Sequence, residues 1–180
     1  MRCTSIRVSV VSFFVTLFLA VPARAQMPMS KPAPELAKLD YLTGTWTSDG
    51  DMKPGPMGPG GKVTATDDVH WMDGKFFLVM HTKFSGSMGD GTGLAIFGYD
   101  AEHKVYTYNA YNSWGEVERA TGTVDGDTWT WTSDENFGGQ PLKGRYSTKT
   151  MSPTTYTYKF EVSPDGNQWT TVMDGKATKK

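Results

Sequence analysis

The sequence predicts an all-β fold, an antiparallel up-and-down β-barrel of about ten strands preceded by a short N-terminal helical plug. Three observations carry this. From Lys62 onward, short runs rich in Thr, Val, Tyr and Trp alternate with turn residues, and β-branched and aromatic side chains favour a pleated, half-buried surface. Asp-Gly pairs at Asp73-Gly74 and Asp125-Gly126, with Pro164-Asp165-Gly166 later, sit between such runs, as tight hairpins require. Leu36, Leu39 and Leu42 recur every third residue ahead of Gly44 and Trp46, so one face of a helical turn leads into a first strand.

The elements follow in order. Residues 1–25 read as a secretory signal: Arg2 and Arg7 precede the apolar run Val8–Ala20, and Ala23-Arg24-Ala25 is a small-x-small cleavage site. Ser9, Ser12 and Thr16 interrupt that run, which is short for a membrane span. Cleavage before Gln26 removes three arginines and no acid, which takes the charge from −1 to −4. A mildly acidic chain without a basic patch argues against nucleic acid. Cys3, the one cysteine, falls in the signal, so disulfide and thiolate chemistry are not expected of the mature protein. An exported protein, periplasmic or secreted, follows, with no stable membrane insertion after cleavage.

Residues 26–33 form a Pro-containing tether, and residues 34–180 suit one barrel domain with one core. Pro34 opens the helical turn, where its missing N–H costs least. Thr45–Asp49 is the first strand. Gly50–Gly61, with three prolines and five glycines, is neither helix nor central strand, and its length suggests a loop over a barrel mouth. Further strands are expected at 62–71, 75–84, 92–99, 104–112, 117–124, 127–133, 142–150, 154–162 and 167–173. Gly86–Gly93 lacks the Lys-Ser/Thr ending of a phosphate loop and reads as a hairpin connection.

Strand periodicity then assigns faces. With Asp73-Gly74 as a two-residue turn, Trp71 opposes Phe76, Val69 opposes Leu78 and Asp67 opposes Met80, an apolar face except for Asp67. The other face carries Thr64, Thr66, Asp68, His70, His81 and Lys83 and reads as solvent. With Asp125-Gly126 as a turn, Gly122 opposes Trp129, Ala120 opposes Trp131 and Glu118 opposes Ser133, and Tyr106 and Tyr108 share that face. At the last hairpin Tyr158, Phe160, Val162, Trp169, Thr171 and Met173 fall together. A β-bulge would invert such an assignment locally.

The segments Leu39-x-x-Leu42-x-Gly44-x-Trp46, Met72-Asp73-Gly74-Lys75-Phe76-Phe77, Gly98-Tyr99-Asp100, Lys104-Val105-Tyr106 and Ser163-Pro164-Asp165-Gly166, with Gly122, occur in that order from the helical turn to the C-terminus. With them the chain resembles a family of exported bacterial proteins known only as a domain of unknown function. The helical plug followed by G-x-W also resembles the opening of lipocalin-type barrels. The resemblance implies a calycin-like barrel, with Trp46 packed across its closed end. It brings no catalytic residues.

The candidate chemistry is sparse. His70 and His81 lie on the solvent face without metal-ligand spacing, and the methionines lie mostly in loops, so neither a metal nor a cofactor is expected. No nucleophile–base pair is readable, and no catalytic residue is assigned. The aromatic inward face with two isolated carboxylates has the make-up of a binding pocket, apolar walls with a few orienting groups. The expected function is non-covalent binding of a small apolar or aromatic molecule by Asp67, Met80, Tyr106, Tyr108, Glu118, Trp129, Trp131 and Tyr158. The alternatives are a barrel hydrolase or isomerase using the buried carboxylates, and a filled structural barrel acting through its surface.

Overall fold

The computed structural model describes residues 31–55 and 58–180. The expected signal, residues 1–25, and most of the expected tether lie outside the described residues. A 3₁₀ helix, Pro34–Leu42, leads into ten strands: β1 (Gly44–Met52), β2 (Gly61–Trp71), β3 (Leu78–Gly86), β4 (Gly89–Asp100), β5 (Val105–Asn112), β6 (Val117–Asp125), β7 (Thr128–Phe137), β8 (Gln140–Ser152), β9 (Thr155–Ser163) and β10 (Thr170–Lys179). Each strand pairs antiparallel with its neighbour in sequence, and β1 pairs with β10, which closes the sheet into a barrel. No edge is left unpaired, so closure itself removes the hazard of an open sheet edge.

The helix is 3₁₀ rather than α for a reason visible in its leucines. A 3₁₀ helix has about three residues per turn, so positions i and i+3 eclipse. Leu36 and Leu39 therefore point the same way, 5% and 0% exposed, with Leu42 packed behind them. The helix ends where Thr43 turns extended, its N–H and hydroxyl both donating to the Asp40 carbonyl, and Gly44 takes φ +104°. It lies across the end of the barrel where β1 begins. Tyr106 donates its hydroxyl to the Glu35 carbonyl at 2.9 Å, Trp71 donates its indole N–H to the Asp40 carboxylate at 2.7 Å, and the Lys179 ammonium donates to the Tyr41 carbonyl at 3.1 Å. Strands β5, β2 and β10 thus all hold the plug.

Beneath the plug the barrel is filled. Trp46 is 1% exposed and meets Tyr41 and Tyr156 at ring separations of 5.4 and 4.8 Å. Tyr106 packs edge-on against Trp129 at 4.7 Å. Many outward strand positions are polar, Thr47, Thr66, Lys83, Thr121, Thr130 and Lys159 among them, while Leu94, Ile96 and Val117 are apolar ones. Among the described residues no helix is long and apolar enough to cross a membrane.

The registers differ from the sequence expectation by two residues at two hairpins. At the first, Met72 and Phe77 close a longer loop, with Gly74 and Lys75 at positive φ, so Trp71 opposes Leu78 and Asp67 opposes Thr82. At the second, the turn is Gly126-Asp127 rather than Asp125-Gly126, so Gly122 opposes Trp131 and Ala120 opposes Ser133. Gly126 has φ +56° and Asp127 does not have positive φ, the pattern of a turn with its glycine first. A slip of two leaves every side chain on its expected face, because the period of a strand is two.

The last hairpin behaves differently. The register shifts between Thr171 and Met173, so Met173 opposes Phe160 on the inner face while Thr171 opposes Glu161 on the outer one. The Trp169 ring lies 4.1 Å over the Arg145 guanidinium, which pairs with Glu161. Trp169 and Thr171 are therefore not in the inward set. Gly86–Gly93 is also more ordered than a connection: only Ser87 and Met88 turn, and Gly89, Gly91 and Gly93 belong to β4. The ring of Phe84 occupies the place a Gly91 side chain would take.

Candidate functional site

The inward residues divide the barrel into two halves. Toward the plug they are large and buried: Trp46, Val69, Leu78, Phe97, Tyr106 and Trp129. Toward the other end, where β1 ends and β2 begins, large side chains such as Phe84 and Phe160 alternate with smaller and more polar ones. Ser48, Ala65, Gly91, Gly93, Ala110, Ser133 and Gly144 all face inward there. Met80, Thr82, Tyr108, Ala110, Glu118 and Tyr146 also point into the barrel yet are only half-buried. Inward side chains that keep part of their surface open to solvent make this half less sealed than the half beneath the plug.

Asp67 stands at the floor of this open half, beside Trp46 in the β1–β2 register. It is 9% exposed, and one carboxylate oxygen accepts from the Thr82 hydroxyl at 2.7 Å. Burial pushes its carboxyl up, and the Thr82 hydrogen bond opposes that in part. The Asp67 charge also raises the hydroxyls of Tyr108 on β5, Tyr146 on β8 and Tyr156 and Tyr158 on β9, although desolvation is the larger cause at each. These four tyrosines therefore lie within range of one buried carboxyl. Among the described residues, the hydroxyls of Tyr108, Tyr146 and Tyr156 and the second Asp67 oxygen make no hydrogen bond to protein, and no polar side-chain atom shut off from solvent lacks a partner. Those groups therefore face space that solvent reaches.

Glu118 on β6 is the second carboxyl of the lumen. Desolvation, with the neighbouring charges of Glu135 and Glu116, pushes it up to about 7. Glu135, also inward, accepts from the Ser133 hydroxyl at 2.5 Å.

Six of the eight residues singled out from sequence come together around the open half or its wall. Asp67, Met80, Tyr108 and Glu118 line it. Trp131, 7% exposed, lies over Gly122 and approaches Tyr108 at 5.9 Å. Tyr158 is pressed against Gly50 and Gly175 and stacks on Tyr146 at 5.9 Å. Tyr106 and Trp129 sit instead in the packed half under the helix. Sequence reasoning passed over Tyr146 and Tyr156. The signal was present: Gly138-Gly139 makes a two-residue turn with φ +60° and +85°, which carries the inward face from Trp131 to Tyr146.

His70 and His81 are exposed and stack on one another at 5.7 Å on the outer wall. A hollow of about 780 Å³ over the outer side of β1–β4 is lined chiefly by Thr47, Asp49, Thr64, Thr66, Lys83 and Thr92 and is wide open to solvent.

A family model described as a protein of unknown function (DUF1579) matches residues 31–179. The chain belongs to that family. No curated protein matches it significantly. Among solved structures, the DUF1579 chain is similar to Rv2717c from M. tuberculosis, with a TM-score of 0.57, 15% identity, and coverage of 83% of this chain and 99% of that one. It is also similar to the S-type phycobiliprotein lyase CPES from Guillardia theta, with a TM-score of 0.53, 12% identity, and coverage of 80% and 91%. At these identities the likeness is one of fold alone.

Proposed function

We propose that this protein is an exported carrier that binds a small apolar or aromatic molecule non-covalently in the half of the barrel opposite the helix. One observation carries the reading: inward residues of the open half keep solvent-facing surface, while the half beneath the plug is filled. A filled structural barrel would bury both halves alike. The wall supplies aromatic area from Tyr108, Trp131 and Tyr146, and Asp67, Thr82 and Glu118 are the few polar groups that would orient a guest. The polar outer wall supports a soluble barrel over a membrane-embedded one. Export rests on the signal-like residues 1–25, and N-terminal sequencing of protein recovered from the cell envelope should begin at Gln26.

The direct test is extraction and mass spectrometry of small molecules that co-purify with the native protein, followed by titration of the emptied barrel with apolar probes. Saturable quenching of tryptophan fluorescence is expected. Absence of saturable binding by any apolar or aromatic probe would leave the filled-barrel reading standing. Glu118 gives acid–base chemistry a specific footing as a second reading, because its carboxyl titrates near neutrality inside a lumen. A pH–activity profile that vanishes in Glu118→Gln would support it.

A further inference from the structure

The charges on the inner wall are one-sided. Among the described residues, inward strand positions carry three carboxylates, Asp67, Glu118 and Glu135, and one cation, Lys179. That lysine is occupied at the closed end: its ammonium donates to the Tyr41 carbonyl and lies 4.9 Å from the Trp46 ring centre. None of the ion pairs among the described residues includes Asp67 or Glu118. The acidity of Asp67 answers to burial and Thr82 alone. Arg145, Lys143 and Lys159 pair with acids on the outer wall.

Acidic residues alone would not make a site. The second observation is the state of Asp67. It is nine-tenths buried, one oxygen is held by Thr82, and the other is open to solvent with no donor among the described residues. An ionised carboxylate in that position favours a charged or hydrogen-bonding partner beyond the one that the described residues provide. Within range of its charge stand Tyr108, Tyr146, Tyr156 and Tyr158, and aromatic rings attract a cation as well as an apolar body. A guest with a positive end and an aromatic or aliphatic body satisfies every one of these groups. An anionic guest would meet three carboxylates and no free cation.

On the reading that the open half binds a small molecule, we infer that its ligand is an organic cation, a protonated or quaternary amine on an apolar body, with the charged end against Asp67 and within the tyrosine rings.

Three naphthalene probes of nearly one shape separate this inference from the reading it rests on: (2-naphthylmethyl)trimethylammonium, its neutral carbon isostere 2-neopentylnaphthalene, and 2-naphthylmethanesulfonate. Binding is read by calorimetry and tryptophan quenching on the purified protein. The ammonium probe should bind at least about tenfold more tightly than the isostere, and the sulfonate most weakly. Asp67→Asn should erase that preference, so that the ammonium probe and the isostere bind alike, and Glu118→Gln should reduce it partially. If the isostere equals the ammonium probe, or the sulfonate binds best, the cation assignment is overturned while apolar binding stands. If no probe binds saturably, both fall. Should Asp67→Asn fail to fold, the ranking of probes on the wild-type protein and the Glu118→Gln result decide the matter.

Discussion

The indole N–H of Trp46 donates to the carbonyl of Leu42 at 2.8 Å, so the first strand is tied back to the helix that covers it. The same ring meets Tyr41 and Tyr156 and carries the Lys179 ammonium on its face. Plug and wall are thereby one packed unit at this end. Trp46→Ala should cost about 3–5 kcal/mol in urea unfolding, as for other large core aromatics. Trp46→Phe should cost less, because it keeps most of the apolar area and forfeits the hydrogen bond. A loss below about 1 kcal/mol for the alanine variant would mean that the plug does not depend on this residue.

Gly122 leaves the space in which the Trp131 ring lies flat against the neighbouring strand; a Cβ there would overlap that ring. Gly122→Ala should therefore destabilise the barrel by about 1–3 kcal/mol, the usual cost of overpacking. Adding Trp131→Leu should make the glycine substitution nearly harmless, and a double-mutant cycle measures that coupling. Additive effects would refute the packing account.

Glu118 sets a pH dependence with a definite sign. Burial, with the charges of Glu135 and Glu116, raises its carboxyl from 4.5 to about 7 in the folded protein. Between those values the folded protein keeps a proton that the unfolded chain releases, so stability falls as pH rises from 4.5 and levels off above 7. Asp67 is also raised and acts in the same direction. Glu118→Gln should flatten the slope and be more stable than wild type at pH 8, by on the order of 1–3 kcal/mol. Unfolding curves at pH 4, 6 and 8 test this, and an unchanged slope in the variant would contradict it.

The two stacked tryptophans should report on binding unequally. Their rings lie 5.8 Å apart, but Trp131 adjoins Tyr108 at the lumen, whereas Trp129 packs against Tyr106 beneath the helix. With an apolar probe, Trp131→Phe should remove most of the quenching and Trp129→Phe little. Tyr108→Ala should change affinity by about tenfold, the effect of losing one well-placed aromatic contact. His70→Ala and His81→Ala, on the outer wall, should leave affinity unaltered. The reverse order would move the site out of the barrel.

Much of this arrangement was legible in the residues. The strands were readable from alternating Thr, Val, Tyr and Trp, and the inward faces of β2, β3 and β5–β7 from parity about the Asp-Gly turns, because parity survives a slip of two. The Thr171/Met173 bulge was not readable: nothing in the residues 167–173 announces an extra residue, and its position is set by how β10 must meet both β9 and β1 to close the barrel. Local sequence therefore determined element type and, away from the last hairpin, which side chains share a face, since those depend on periods of two and three along the chain; the turn residues and registers it did not fix. Tertiary structure alone decided which inward residues are core and which are lumen. Tyr106 and Tyr108 share a strand and a face, yet the first is sealed by the Glu35 carbonyl and the second opens to solvent. That difference comes from where a helix whose Glu35 stands 71 residues before Tyr106 lies across the barrel, and closure of ten strands, unlike periodicity, is a property of no single segment.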